Sequence, residues 1–450
     1  RKMSIFKAYD IRGVFGKDLT DETAYRIGLA YCMLRRPEFR EKIPEIVVGC
    51  DMRLSSPNLK KNLIRGLNDG GFNVIDIGLA STPTFYFAVA QYRYDGGILV
   101  SASHNPKEYN GFKLVRERAK PISYDTGIRE IERLVASSLE PSQKGIVMFR
   151  KGVLSDQIRH DMKYAEPSKI KRLKIVIDTA NAMGSTYFDE LFSAVKLDVV
   201  RMNWELDGTF PVHEADPFKH ENVVGLCERV VREKADLGIA TDGDGDRIFF
   251  FDERGEPVEP GIMRAILSRI FLRDRPGAKI AYDIRPGKIT EDTIIEDGGV
   301  PVVTRVGHSL IKEHALREGA YFAGESSGHF FLNMQDGCYE VPVIVTLRIL
   351  QELSESGKAF SDYVKPYQKY FHSGEINFTV EDPIKKIEEI KQKFSDARIV
   401  ELDGVSIEYP DFWFNVRPSN TEALVRLNLE ARSRDILENK KSELIRLLSG

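Results

Sequence analysis

Cysteine is scarce in these 450 residues: there are four, Cys32, Cys50, Cys227 and Cys338. They form no C-x-x-C pair and no zinc spacing, so the thiols read as reduced and the expected setting is cytoplasmic. Charge of one sign is also lacking. Lys plus Arg number 65 against 68 Asp plus Glu, a net charge of −3. That balance gives no sign of a nucleic-acid partner or an acidic tail. No apolar run approaches the ~18 residues of a membrane helix, so no membrane partner is expected. The start, RKMSIFKAYDIRG, has no long apolar stretch of the signal-peptide kind.

What is present is enough apolar residue, 42%, to bury several cores. The length suggests three or four domains at ~100–200 residues each. One pattern recurs three times. Glu45–Asp51, Lys174–Asp178 and Lys279–Asp283 are β-branched or apolar runs ending in Asp. Each precedes a helical stretch (Ser56–Gly70, Gly184–Ala194, Thr290–Asp297), then a second strand and a third. Each third strand runs into a distinctive loop: Ser101–Pro106 (SASHNP), Asp242–Arg247 (DGDGDR) and Gly324–His329 (GESSGH). In open α/β sheets ligands gather beyond the carboxyl ends of strands. From about Lys369 the pattern changes to short strands with two helices, Pro383–Phe394 and Arg434–Leu448. The expected fold class is α/β: three similar mixed α/β domains, 1–150, 151–254 and 255–368. A smaller α+β domain, 369–450, follows them around a central cleft.

The loops carry the chemistry. Ser103 stands where a nucleophile or phosphate carrier would. Asn110-Gly111 reads as a turn before Phe112-Lys113-Leu114. Tyr9-Asp10-Ile11-Arg12-Gly13 is an ion-paired turn or an anion-binding loop. Asp242, Asp244 and Asp246, separated by glycines, suit a hard cation bound through oxygen. An EF-hand would need glycine where Arg247 stands, and helices rather than strands on either side. Three carboxylates within five residues repel unless something neutralises them, which favours a Mg²⁺ site. Arg417-Pro418-Ser419-Asn420-Thr421 offers a guanidinium, two hydroxyls and an amide, a cradle suited to phosphate, or else an ordinary proline turn. Glu325 and Ser327 can meet sugar hydroxyls, and His329 titrates. His308 is a weaker candidate of the same kind. Lys113 can act as a general acid or base if burial or nearby cations draw its pKa down, or else is an ordinary surface lysine.

With these loops in sequence order, the chain resembles the α-D-phosphohexomutase family, most like its phosphomannomutase/phosphoglucomutase type. The resemblance covers nearly the whole chain. It implies an isomerase interconverting hexose 1-phosphate and hexose 6-phosphate (mannose and/or glucose) through a phosphoserine and a hexose 1,6-bisphosphate intermediate or activator. By that resemblance Ser103 is the phosphorylated residue, and Asp242, Asp244 and Asp246 hold Mg²⁺ with its phosphate. Arg12 and Arg247 stabilise transferring charge, and Lys113 and His329 move protons. Tyr9, His104, Arg285, His308, Glu325 and Ser327 contact substrate, while Arg417, Ser419, Asn420 and Thr421 hold the non-reacting phosphate. Arg285 stands where members of this type tend to carry Lys, and the SAS form around Ser103 also occurs in phosphoglucosamine mutases. The alternatives are therefore a phosphoglucosamine mutase, a phosphosugar phosphatase using the same serine, and a non-catalytic phosphosugar-binding protein. The expected partner is a small phosphosugar, bound by a monomer or homodimer.

Overall fold

The computed structural model describes residues 5–142, 144–419 and 424–449. The chain forms two compact units. Lys2–Val258 and Ser327–Tyr363 make the first, Glu259–Ser326 and Val364–Gly450 the second.

In the first unit a six-stranded sheet runs in the order Ile11–Val14, Tyr109–Arg116, Gly96–Val100, Glu45–Cys50, Asn73–Leu79, Val147–Phe149. Glu45–Cys50 is flanked by Asn73–Leu79 and Gly96–Val100, both parallel to it. Gly96–Val100 is buried along its whole length, as expected of a parallel strand covered on both faces. Ile27 and Tyr31 of helix Asp21–Arg35 and Leu59, Leu63 and Leu67 of helix Ser56–Asp69 share a core with Ile46, Val48, Ile98 and Val100. Thr20 caps the first of these helices, its hydroxyl accepting the Thr23 N–H.

The plan repeats. Lys174–Asp178 lies between Asp198–Met202 and Leu237–Thr241, parallel to both, with Ile248–Phe251 antiparallel beyond. In the second unit Lys279–Asp283 lies between Val300–Thr304 and Phe322–Gly324, again parallel. Each time the first strand is central, and the third delivers the loop. The C-terminal segment is an antiparallel sheet in the order Phe371–Thr379, Leu424–Ala431, Phe412–Pro418, Val405–Glu408, Arg398–Val400. Ile390 of helix Pro383–Lys393 and Leu437, Leu444 and Leu448 of helix Arg434–Ser449 close its core. Among the described residues no helix is long and apolar enough to cross a membrane.

Two local readings are corrected. Asn110-Gly111 is not a turn; it lies within strand Tyr109–Arg116. Asn110 is fully buried, and its amide donates to the Ser55 and Ser56 hydroxyls. A Cβ at Gly111 would come within 2.1 Å of the Ile11 carbonyl, so only glycine lets the two strands close. Ile11–Val14, likewise, is an edge strand antiparallel to Tyr109–Arg116 rather than a loop.

Candidate active site

Strand Gly96–Val100 ends at Ser101, and Ser103 follows in a left-handed conformation, φ +51°. Its hydroxyl donates to Asp242 Oδ2 at 2.8 Å, across from the end of strand Leu237–Thr241. The two loops can meet because residue 243 is glycine: a Cβ there would lie 2.1 Å from the Ser103 carbonyl oxygen. Asp242, Asp244 and Asp246 are all buried, and one oxygen of each lies within 4.8 Å of the others. Asp244 Oδ1 and Asp246 Oδ1 have no hydrogen-bond donor among the described residues. Buried, oxygen-only and partly unsatisfied, this set fits a hard divalent cation.

Burial and the neighbouring Asp244 and Asp246 push the Asp242 carboxyl well up. Asp244, though buried, is held well below the usual range by Lys113. Lys113 Nζ lies 2.6 Å from Asp244 Oδ2 and 2.5 Å from Asp246 Oδ2. Despite burial, those two carboxylates raise its pKa well above the usual lysine value. The condition set from the sequence, a lowered lysine pKa, is therefore reversed: this ammonium is held charged.

Four further cations or imidazoles stand nearby. Arg12 donates to Asp10 Oδ2 (2.8 Å) and Asn105 Oδ1 (2.6 Å). Arg247 donates through Nε to His329 Nε2 at 3.1 Å, and its Nε lies 3.9 Å from Asp242 Oδ2. A guanidinium can only donate, so His329 Nε2 is the acceptor and Nδ1 carries the proton. Nδ1 faces Glu340 Oε1 at 3.4 Å and Asp246 Oδ1 at 3.8 Å. Asp246, His329 and Glu340 also have metal-like spacing, but the lone pair a cation would need at Nδ1 is protonated. His104 Nδ1 lies 3.4 Å from Ser103 Oγ, and burial next to Arg247 and Arg12 pulls its pKa well down. Tyr9 is half-buried beside Asp10, and Ser327 is buried in this same unit.

The second unit gathers a different set. Arg285 donates to Asp283 Oδ2 (2.6 Å) and Glu325 Oε1 (3.4 Å). Arg264 donates to Asp283 Oδ1 at 2.6 Å. Despite burial, the two arginines hold the Asp283 carboxyl far below its usual range. The Gly307 N–H, one residue before His308 at the start of helix His308–Glu318, donates to Glu325 Oε2 at 3.2 Å. Arg417, at the end of strand Phe412–Pro418, donates to Glu375 Oε2 at 3.0 Å, and Asn428 donates to the same oxygen. Ser419 is half-buried, its N–H bonded to the Leu424 carbonyl. Asn420 and Thr421 lie outside the described residues.

Four family models match in turn. Three are phosphoglucomutase/phosphomannomutase alpha/beta/alpha domains: domain I at residues 3–141, domain II at 154–255 and domain III at 261–370. The fourth is the C-terminal domain of that family, at 375–447. The chain belongs to the phosphoglucomutase/phosphomannomutase family. It is 39% identical to a phosphomannomutase of Vibrio cholerae over 98% of this chain and 97% of that protein. It is 36% identical to a phosphomannomutase of Methanocaldococcus jannaschii over 99% and 98%. A crystal structure of a phosphoglucomutase/phosphomannomutase family protein from Burkholderia thailandensis superposes with a TM-score of 0.89 at 32% identity. That match covers 99% of this chain and 97% of the other.

Within this family fold, several side chains escaped the reading of motifs. Thr82 donates its hydroxyl to Asp244 Oδ2 at 2.5 Å and its N–H to the Asp244 carbonyl. Glu340 flanks His329, Glu375 holds Arg417, and Asp51 and Arg53 lie behind Ser103. Only Asp51, at the end of an apolar run, left a signal in the sequence.

Proposed function

We propose that this chain is a phosphohexomutase interconverting hexose 1-phosphate and hexose 6-phosphate, of mannose and/or glucose, with Ser103 as phosphoryl carrier. The observation that carries the proposal is a buried serine hydroxyl hydrogen-bonded to one of three clustered carboxylates. A serine that receives and returns a phosphoryl group needs a neutralised, aligned setting more than it needs a strong base. Asp242, Asp244 and Asp246 would hold Mg²⁺. Bound there, the cation would offset charge on the phosphoryl oxygens.

Each transfer moves two protons: the sugar hydroxyl loses one as it attacks, and Ser103 Oγ gains one as it leaves. Lys113, kept protonated by its carboxylates, gives the proton to Ser103 Oγ, whose alkoxide is a stronger base than even a lysine of raised pKa. His329 Nε2 takes the proton of the sugar hydroxyl once Arg247 swings from it to the phosphoryl group. Arg12 and Arg247 neutralise the charge in transit. Tyr9, His104, Arg285, His308, Glu325 and Ser327 orient the sugar, and Arg417, Ser419, Asn420 and Thr421 hold the phosphate that is not reacting. The product of the first transfer is hexose 1,6-bisphosphate, which turns over and returns its other phosphate to Ser103, and which also serves as activator. A cytoplasmic monomer or homodimer accords with this chemistry.

Phosphorus NMR of mannose 1-phosphate with Mg²⁺ and a trace of hexose 1,6-bisphosphate tests the proposal. Mannose 6-phosphate is the expected product. Release of free phosphate would indicate a hydrolase, and conversion of glucosamine phosphate alone a sister mutase. Protein phosphorylated at Ser103 that converts none of these sugars would overturn the reading.

A further inference from the structure

The loop that carries Ser103 is held from behind by one arginine. Arg53 is 1% exposed and touches neither the triad nor its proton-moving neighbours through any hydrogen bond. Its Nη2 donates to the carbonyls of Ser103 (2.9 Å) and Asn105 (2.7 Å). Its Nη1 donates to those of Pro106 (2.7 Å) and Tyr109 (3.0 Å). The Phe210 ring lies 5.2 Å from the guanidinium. Asp51 Oδ2 is 3.2 Å from Arg53 Nε and accepts the Ser101 hydroxyl at 2.7 Å. Ser101 Oγ in turn accepts the Ser103 N–H at 3.1 Å. Both the N–H and the carbonyl of Ser103 therefore trace back to a single ion pair. The left-handed backbone of Ser103 is one that L-residues avoid, and it persists only where its surroundings fix it.

We propose that the Asp51–Arg53 pair is the positioning device of the phosphoryl-carrying serine. By holding the carbonyls of Ser103, Asn105, Pro106 and Tyr109 on the far side of the loop, it aims Ser103 Oγ at the carboxylate triad. The inference rests on the reading of Ser103 as phosphoryl carrier. The pair holds the loop around Ser103, so its largest effect falls on the rate at which the hydroxyl takes up a phosphoryl group. Substrate affinity is set elsewhere. A displacement of the order of 1 Å at a reacting atom costs roughly 100-fold in rate.

The test follows phosphorylation of Ser103 by glucose 1,6-bisphosphate, using intact mass and phosphorus NMR, with urea unfolding in parallel. The proteins are the wild type, R53K, R53M and the double variant D51N/R53M. R53M strands a buried carboxylate and loses stability, whereas D51N/R53M removes both charges and keeps an oxygen acceptor for Ser101. Stability should largely return in the double variant, while the phosphorylation rate stays about 30-fold or more below wild type. R53K, one ammonium facing four carbonyls, should fall between. KM for the sugar phosphate should change far less than the phosphorylation rate, because Arg53 bonds to none of the side chains that hold the sugar. A rate that recovers together with stability in the double variant, or R53M phosphorylated at the wild-type rate, overturns the proposal. A wild type that takes up no phosphoryl group overturns the phosphohexomutase reading and this inference with it.

Discussion

The Ser103 region and the Arg285–Arg417 region are both buried and charged, yet they are balanced in opposite ways. Around Ser103 three carboxylates crowd within 4.8 Å, and Lys113 is the one ammonium bridging two of them. In the other unit arginines share carboxylates in pairs: Arg264 and Arg285 on Asp283, Arg417 and Arg426 on Glu375. A surplus of negative charge holds a cation in place through many cycles. Guanidiniums that share a carboxylate are kept oriented and retain charge for an anion that must also leave. The first design suits a resident ion, the second a passing ligand.

The largest effect expected lies in the first region. Replacing Ser103 with Ala should lower kcat by about 10⁴-fold or more, since no other hydroxyl can carry the phosphoryl group. Unfolding should change little, because the side chain gives a single hydrogen bond to Asp242. Turnover above about one per cent of wild type would break the assignment.

Next comes Asp244→Asn. Wild-type protein should melt at a higher temperature as Mg²⁺ is added, following the ordinary linkage of binding to stability. The variant should show almost none of that shift, and roughly 10³-fold less activity. Chelation of the wild type should mimic the activity loss reversibly. A full thermal shift in D244N would mean that the cation sits elsewhere.

Arg417→Lys should act more mildly and differently, which sharpens the contrast. An ammonium on Glu375 keeps the charge balance but loses the planar fork. KM should rise roughly 10- to 100-fold with kcat little changed, the signature of lost uniform binding. An equal loss in kcat would place Arg417 at the reacting phosphoryl group instead.

The chain of motifs was legible because each sits at the end of a buried apolar strand, where polar residues stand out. The three-strand repeat could be read for the same reason. Helix Thr82–Gln91 (TPTFYFAVAQ) could not: nine of its ten residues are buried, so it shows no polar face and no period. Thr82 was lost with it. Pro260–Asp274 and Pro342–Ser356 hid in the same way, buried on most sides. Arg53 belongs to no motif. Its meaning lies in four carbonyls some 50 residues further along the chain, and no local pattern records them.

The smallest effect concerns the arginine-rich unit, at a buried carboxylate held by two N–H donors. Glu430, on strand Leu424–Ala431, is 2% exposed and accepts the Lys288 N–H and the Trp413 indole N–H through Oε1. Burial and the nearby Glu259 push its pKa up to about 7, from an ordinary 4.5. Between those values the folded chain keeps a proton that the unfolded chain has released. The stabilisation is full below about pH 4.5 and is lost as pH rises through about 7. Glu430→Gln is neutral throughout and keeps an oxygen for both donors. At pH 8.5 it should be more stable than wild type by about 2–3 kcal/mol, and near pH 4 the two should coincide. Trp413 fluorescence in a W204F background reads this unit alone, since the chain has only two tryptophans. A stability difference that stays flat from pH 4 to 9 would show that Glu430 is ionised in the folded unit.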